Sequence, residues 1–367
     1  MFLLYSLSMS VTIVLTLKGR DEFTYRWMHY MNQMRCQYKI LVADGGESIE
    51  IEKNLSNYEN YPNLNYEYVR YPFDENIVDF YSKLVNVLSK VTTEYVLQAD
   101  NDDFYLLGQM PELIDYLDNN QDYVSARGSL VNLEVFDKAG ISKGKVNGCR
   151  YKAVTTYAPS IESELVLERI KSLCRGMSTY DYYSNWYAIT RTKVLVKIWS
   201  QLITLPIKEP IILEMLTHIL IVESGKVKIN DNPFYIRQSN TSSFGDNLVL
   251  NNDFVERCLV NNSLSELSFA VKNFMSLDKK DDEIIVLKNI ASWLNIFIYN
   301  INQSHQIRSQ KSFKLKYILK RIRLIDLILN YLATYFHIIT KTRVFKNIKI
   351  REIEPFILNS DTRSEKN

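Results

Sequence analysis

Three short apolar runs, separated by helical stretches, constrain this chain more than any other feature. They are Val11–Leu15, Tyr38–Ala43 and Glu94–Ala99. Each has the length and the β-branched or aromatic content of a buried strand. Asp21 to Arg35 fits one helix between the first two, and Ile77, Phe80, Tyr81, Leu84, Val85 and Leu88 recur at helical spacing before the third. Such alternation predicts an α/β fold with a parallel, doubly wound, Rossmann-like sheet. Each run ends in polar residues: Thr16-Leu17-Lys18-Gly19-Arg20, Asp44-Gly45-Gly46 and Asp100-Asn101-Asp102-Asp103. Ligands of open α/β sheets bind beyond the carboxyl ends of the strands, so these three turns mark the expected site.

Further along, the pattern predicts a helix over Pro111–Leu117 and strands at Tyr123–Ala126 and Trp186–Thr190. Residues 132–180 read as mixed and loop-rich, the acceptor side of a cleft. A helix follows over Val194–Gln201. Pro210 to Ser224 is a second, with Pro at its start and Gly225 just past its end. Val227–Ile229 and Phe234–Arg237 read as short strands, and the chain is helical from about Asn252. Residues 1–250 are thus expected to form the sheet-based domain and residues 251–367 a basic, helical C-terminal extension.

Composition excludes several classes. Of 367 residues, 46% are apolar and 23% charged, which rules out a wholly disordered chain and a polytopic membrane protein. The four cysteines form no C-x-x-C pair, which argues against a disulfide scaffold or zinc knuckle and for a reducing cytoplasm. No two of the four histidines lie within four residues, so a His-based metal site has little to draw on. Phe2 to Leu17 lacks the basic start and small-residue cleavage site of a signal peptide, and its apolar end reads as the first strand.

The chemistry centres on Asp100, Asp102 and Asp103. Carboxylates two apart at a strand end both reach one hard divalent cation, Mn²⁺ or Mg²⁺, which takes oxygen ligands and bridges to phosphates. The competing reading is a plain Asp/Asn turn after a strand. Asp44 can accept from a ribose or a base edge, and Gly45 lets a ligand approach the backbone. Lys18 and Arg20 suit phosphates or a base, or are solvated loop charges. Arg237 suits a bidentate grip on a diphosphate, or a salt bridge at a strand end.

Taken together, Val11–Thr16 with Arg20, Val42–Gly46, Thr93–Phe104, Trp186–Thr192, Glu214, Gly225–Val227 and Tyr235–Arg237 resemble the bacterial GT-A glycosyltransferases, the family-2-like inverting enzymes of surface-polysaccharide synthesis. The resemblance covers roughly residues 10–245. It implies a nucleotide-diphosphate sugar donor and a divalent metal at Asp100 and Asp102, with Asp103 beside them. It implies donor contacts from Thr16, Lys18, Arg20, Asp44, Gly45, Asp100 and Arg237, and a glycan or lipid-linked acceptor. A carboxylate base is expected on a helix facing the cleft: Glu214, with Glu209 and Asp181 as alternatives. The chain departs from the family on the nucleotide side. Leu15 and Gly19 stand where Pro and Asn are usual, and Asp44 stands where two acids are usual.

Between His305 and Arg351 twelve Lys and Arg face one acid, Asp326, a net +11 that leaves the rest of the chain at −9. Within this run, Leu324–Thr340 carries one narrow polar stripe, as an amphipathic helix does. An anionic membrane surface is the expected partner of residues 305–351, placing the protein in the cytoplasm, peripheral to the inner membrane. The alternative is packing on the domain or in a homodimer. Nucleic acid is not expected, because no recognised binding motif accompanies the charge. Two other functions remain open. One is a sugar-nucleotide nucleotidyltransferase, although the G-x-G-x-R turn after the first strand is missing. The other is a non-catalytic glycan- or membrane-binding scaffold.

Overall fold

The computed structural model describes residues 10–136, 144–146, 149–179, 185–205, 207–239, 263–275, 277, 282–294, 345–347 and 350–357. Asp181, residues 240–262 and most of the basic run, including Leu324–Thr340, lie outside the described residues.

The strands are β1 (Val11–Leu17), β2 (Lys39–Asp44), β3 (Tyr66–Arg70), β4 (Tyr95–Ala99), β5 (Phe104–Tyr105), β6 (Tyr123–Phe136), β7 (Gly144–Val146), β8 (Cys149–Thr156), β9 (Ile189–Arg191), β10 (Lys226–Ser239) and β11 (Phe345–Asn347). The helices are α1 (Asp21–Gln33), α2 (Ile49–Ser56), α3 (Ile77–Ser89), α4 (Met110–Asn119), α5 (Val166–Thr179), α6 (Thr192–Leu202), α7 (Pro210–Ser224) and α8 (Ser263–Phe274). One eleven-stranded sheet runs β11-β8-β6-β9-β4-β1-β2-β3, with β10 along β6 and β5, and β7 on β8. The half made of β3, β2, β1 and β4 is parallel, as the alternation predicts. Beyond β4 the sheet is mixed: β9 is antiparallel to β4 and β6, and β10 is parallel to β6. This is the α/β, Rossmann-like architecture with flanking helices that the sequence predicts.

Burial explains the layering. Val11, Ile13, Leu15 and Leu17 of β1 face one core with Trp27, Tyr30 and Met31 of α1 and Leu113, Ile114 and Leu117 of α4. Val14, Leu41 and Ala43 face the other core with α3, α6 and α7. The α7 sequence is apolar nearly all round, and Ile212, Leu213, Met215, Leu216, Ile219, Leu220, Ile221 and Val222 are buried, as expected of a helix enclosed on all sides.

The structure differs from the sequence reading in two places. The two short strands expected near 227 and 236 are one strand, β10, with register shifts between Ile229 and Tyr235. The region read as loop-rich holds the second half of β6, all of β8, and α5. Leu267, Ala270 and Val271 of α8 join the second core. Past the basic run, β11 pairs antiparallel with β8, Phe345 opposite Thr156, and Ile350, Ile353, Phe356 and Ile357 enter the first core. There the Phe356 ring meets Tyr30 edge-on at 5.3 Å, and the Tyr30 hydroxyl donates to Glu352 at 2.9 Å. The Tyr151 hydroxyl donates to Glu354.

Candidate active site

The three polar turns meet at the carboxyl ends of β1, β2 and β4. Ligand oxygens of Asp100, Asp102 and Asp103 converge to within 4.8 Å of one another. Each neighbouring element fixes one of these residues. The Tyr187 hydroxyl, in the turn before β9, donates to Asp100 Oδ2 at 2.5 Å. The Tyr235 hydroxyl of β10 donates to Asp103 Oδ2, and the Gln238 amide donates to Asp103 Oδ1 at 2.9 Å. The Tyr187 and Tyr235 rings are stacked, with centroids 4.1 Å apart and planes 13° from parallel. From α1, buried Arg26 donates through Nη2 to the Asp102 carbonyl at 2.7 Å and through Nη1 to Gln238 Oε1 at 2.7 Å. Asn101 Nδ2 donates to Thr24 Oγ1 at 2.9 Å, which seats the turn on α1.

Arg20 closes the cluster. Its Nη1 donates to Asp102 Oδ2 at 2.8 Å, and its guanidinium lies over the Phe23 ring at 4.2 Å. Its backbone is left-handed, with φ 62° and ψ 52°, just after Gly19 at φ 75°. That conformation costs a non-glycine residue on the order of 1 kcal/mol and persists only where the surroundings hold it.

The cluster is charged and poorly solvated. Burial, and then the neighbouring Asp102 charge, push the Asp100 carboxyl up to about 6. The same two causes raise Asp103 well above the usual carboxylate range. Burial alone would lower Arg26 further, but Asp102 and Asp103 oppose it and leave it at about 10, still a cation at neutral pH. Three crowded carboxyl groups, of which Asp100 and Asp103 hold their protons more tightly than usual, are what a bound divalent cation relieves, so the residues fit a hard metal ion. As a metal ligand, Asp100 would have to be ionised. Its raised value places the pH dependence: Mn²⁺ affinity should rise as pH climbs through about 6 and level off above 7. Calorimetric titration should find binding roughly tenfold weaker at pH 5 than at pH 7.5. The metal-free protein carries the opposite sign. The folded state holds a proton on Asp100 that the unfolded chain releases near pH 4, so this group's contribution to stability declines as pH rises from about 4 to about 6.

At the end of β2, the buried Asp44 carboxylate has three donors: Gly46 N at 2.8 Å on Oδ1, with the Tyr68 hydroxyl and Arg70 Nη1, both at 2.7 Å, on Oδ2. Oδ1 keeps a lone pair for a further donor, while Oδ2 is already engaged by two. Gly45 lies flush against the Asp74 carboxyl and has no room for a Cβ. Asp74 in turn forms a buried ion pair with Lys83 of α3, and Lys83 Nζ donates to the Leu17 carbonyl at 2.8 Å, tying the ends of β1 and β2 together. Thr16 is half-buried, and exposed Lys18 lies over the Phe73 ring at 5.1 Å.

The base candidates separate by burial. Glu214 on α7 has a side chain 39% exposed, and its charge contributes to raising Asp100, which places it within electrostatic reach of the cluster. Its Oε1 is 3.4 Å from Nε2 of fully buried His218, one turn along. Glu209 is 1% exposed and caps α7 with its carbonyl, which accepts from Leu213 N at 3.2 Å. Arg237 acts on Asp100 and Asp103 from β10, lowering both. Sequence reasoning missed Arg26, His218, Asp74, Lys83 and the hydroxyl roles of Tyr187 and Tyr235. Only the two tyrosines carried a signal, as members of conspicuous aromatic strings.

No protein-family profile and no curated protein matches the sequence. Among solved structures, the chain is similar to residues 1–349 of Staphylococcus aureus TarS in complex with UDP-GlcNAc, with 14% identity, 78% of this chain and 72% of that one covered, and a TM-score of 0.48. It is also similar to the Pyrobaculum calidifontis mannosyltransferase PcManGT in complex with GDP-Man and Mn²⁺, with 10% identity, 87% and 80% covered, and a TM-score of 0.46. Likeness at this level leaves the site to be read from its own residues.

Proposed function

We propose that this protein is a metal-dependent glycosyltransferase that moves a sugar from a nucleotide-diphosphate sugar to a hydroxyl of a glycan or lipid-linked acceptor, with inversion. The observation that carries the reading is one juxtaposition at the carboxyl edge of the sheet. The Asp100–Asp102–Asp103 cluster, the cations Arg20 and Arg237, and the carboxylate of Glu214 act on one another there. Asp100 and Asp102 would hold the cation, with Asp103 braced beside them by Tyr235 and Gln238. A divalent ion in that position supplies charge neutralisation for a departing diphosphate. Arg237 and Arg20 add fixed positive charge where the leaving group's negative charge grows. Glu214 takes the acceptor hydroxyl proton, since direct displacement at the anomeric carbon needs one base on the acceptor side.

Membrane placement through the basic run 305–351 belongs to the same proposal and rests on its charge. Among the described residues no helix is long and apolar enough to cross a membrane.

Thermal melts with a panel of nucleotide sugars, with and without Mn²⁺, test the reading. A nucleotide-diphosphate sugar at a hundred times its Kd should stabilise the protein by about 2.7 kcal/mol, and only with metal. Asp102→Ala should lose that stabilisation while keeping a near-native metal-free melt. Preference for a nucleoside triphosphate would point to a nucleotidyltransferase, and no metal-dependent nucleotide effect would leave a binding scaffold.

A further inference from the structure

Arg20 and a divalent cation compete for the same carboxylate. The guanidinium Nη1 sits 2.8 Å from Asp102 Oδ2, on one of the carboxylates that converge to within 4.8 Å. The backbone beneath it is anchored. The Arg20 carbonyl accepts from Phe23 N at 3.0 Å and Thr24 N at 3.2 Å, starting α1. Asn101 Nδ2 reaches the Gly19 carbonyl at 3.3 Å and the Arg20 carbonyl at 3.4 Å. The left-handed turn is therefore held by α1 on one side and by the aspartate turn on the other, and the side chain is the part that can move. That side chain is 27% exposed and rests on the flat face of Phe23, 4.2 Å from the ring centroid. A guanidinium can shift across such a face while keeping its attraction to the ring. Arg26, a second guanidinium, lies close enough for Arg20 to oppose its charge, so Arg20 has repulsion on one side and Asp102 on the other.

We propose that Arg20 is a built-in counter-ion that is exchanged during loading. It neutralises Asp102 while the cation site is empty. When a divalent cation takes Asp102, Arg20 is released along Phe23 and its donors turn to the diphosphate of the nucleotide. This rests on the reading that Asp100 and Asp102 hold the metal. It predicts effects of opposite sign from one substitution, which a purely structural arginine does not give.

The test uses the full chain, Mn²⁺ alone, and then UDP and GDP at saturating Mn²⁺, by calorimetry. Arg20→Gly suits the left-handed backbone, and Arg20→Gln keeps a polar side chain; a thermal melt confirms that each is folded. Both should bind Mn²⁺ alone roughly three- to thirty-fold more tightly than wild type, the scale of one lost charge-assisted contact. Both should bind the preferred nucleoside diphosphate more weakly by a similar factor. Lys18→Gln removes a cation two residues away that lies over Phe73 instead, and it should leave Mn²⁺ affinity near wild type. Unchanged or weaker Mn²⁺ binding in the folded Arg20 variants overturns the exchange, as does unchanged nucleotide affinity. Equal tightening in Lys18→Gln would assign the effect to bulk charge and also overturn it. Wild-type Mn²⁺ binding that disappears in Asp102→Ala keeps the metal reading standing in any of these cases. If wild type binds no Mn²⁺, the metal reading fails and the exchange falls with it.

Discussion

Glu214→Gln should leave donor binding near wild type and slow transfer by roughly 10²–10⁴-fold, the usual scale for loss of a general base. Glutamine keeps the shape and the hydrogen-bonding reach of the side chain but accepts no proton. The position suits the role because the carboxylate is 39% exposed and acts electrostatically on Asp100, while residues on both sides of it, Leu213 and Met215, are buried. His218 stands at 3.4 Å on the same helix and restricts where the carboxylate can swing. Donor affinity and single-turnover transfer measured on one preparation separate the two effects. Unchanged transfer would move the role to Asp181 or to Glu209, and Glu209 is the poorer candidate because it is 1% exposed beneath α7.

Deleting residues 345–367 should prevent the catalytic sheet from folding. Ile350, Ile353, Phe356 and Ile357 are all buried in the same core as β1 and α1. Each such side chain contributes about 1.5–3 kcal/mol on burial, and the four together rival the whole net stability of a domain, about 5–15 kcal/mol. The deletion also strips β11 from β8 and leaves an open sheet edge, which favours aggregation. Phe356→Ala is the measurable version: it should cost about 3–5 kcal/mol and lower the melting temperature with donor binding intact at low temperature. A deleted chain that melts like wild type would show that the segment is not part of the core.

Much of this was legible from residue order. The strands β1, β2 and β4 announce themselves by apolar runs that end in functional turns, because a central parallel strand is buried on both faces and leaves no alternation to confuse the pattern. The Asp100–Asp103 turn was legible for the same reason: polar residues at a buried strand's end have to answer to something. The strand β11 was not legible, being three residues long and pairing with β8 far back in the sequence. Nor was Arg26, one polar residue among many on α1, whose role depends on a carbonyl in one distant turn and a glutamine on a distant strand. The engagement of Asp44 by Tyr68 and Arg70 was hidden likewise, since β3 is a half-buried edge strand with little apolar signal.

The late return of the chain to its sheet also orders events during synthesis. Most of the site, from Arg20 and Asp44 through Asp100–Asp103 to Glu214 and Arg237, leaves the ribosome well before Phe345 appears. Until then the end of β8 lacks its pairing with β11, and the core around Tyr30 and Tyr151 lacks Phe356 and its neighbours. Pairing across so long a span is slow, because a large loop must close before the contact is rewarded. The nascent chain therefore carries all of these acidic residues on a sheet that cannot yet close, and the interval before closure is when chaperones or neighbouring chains have access to its edge.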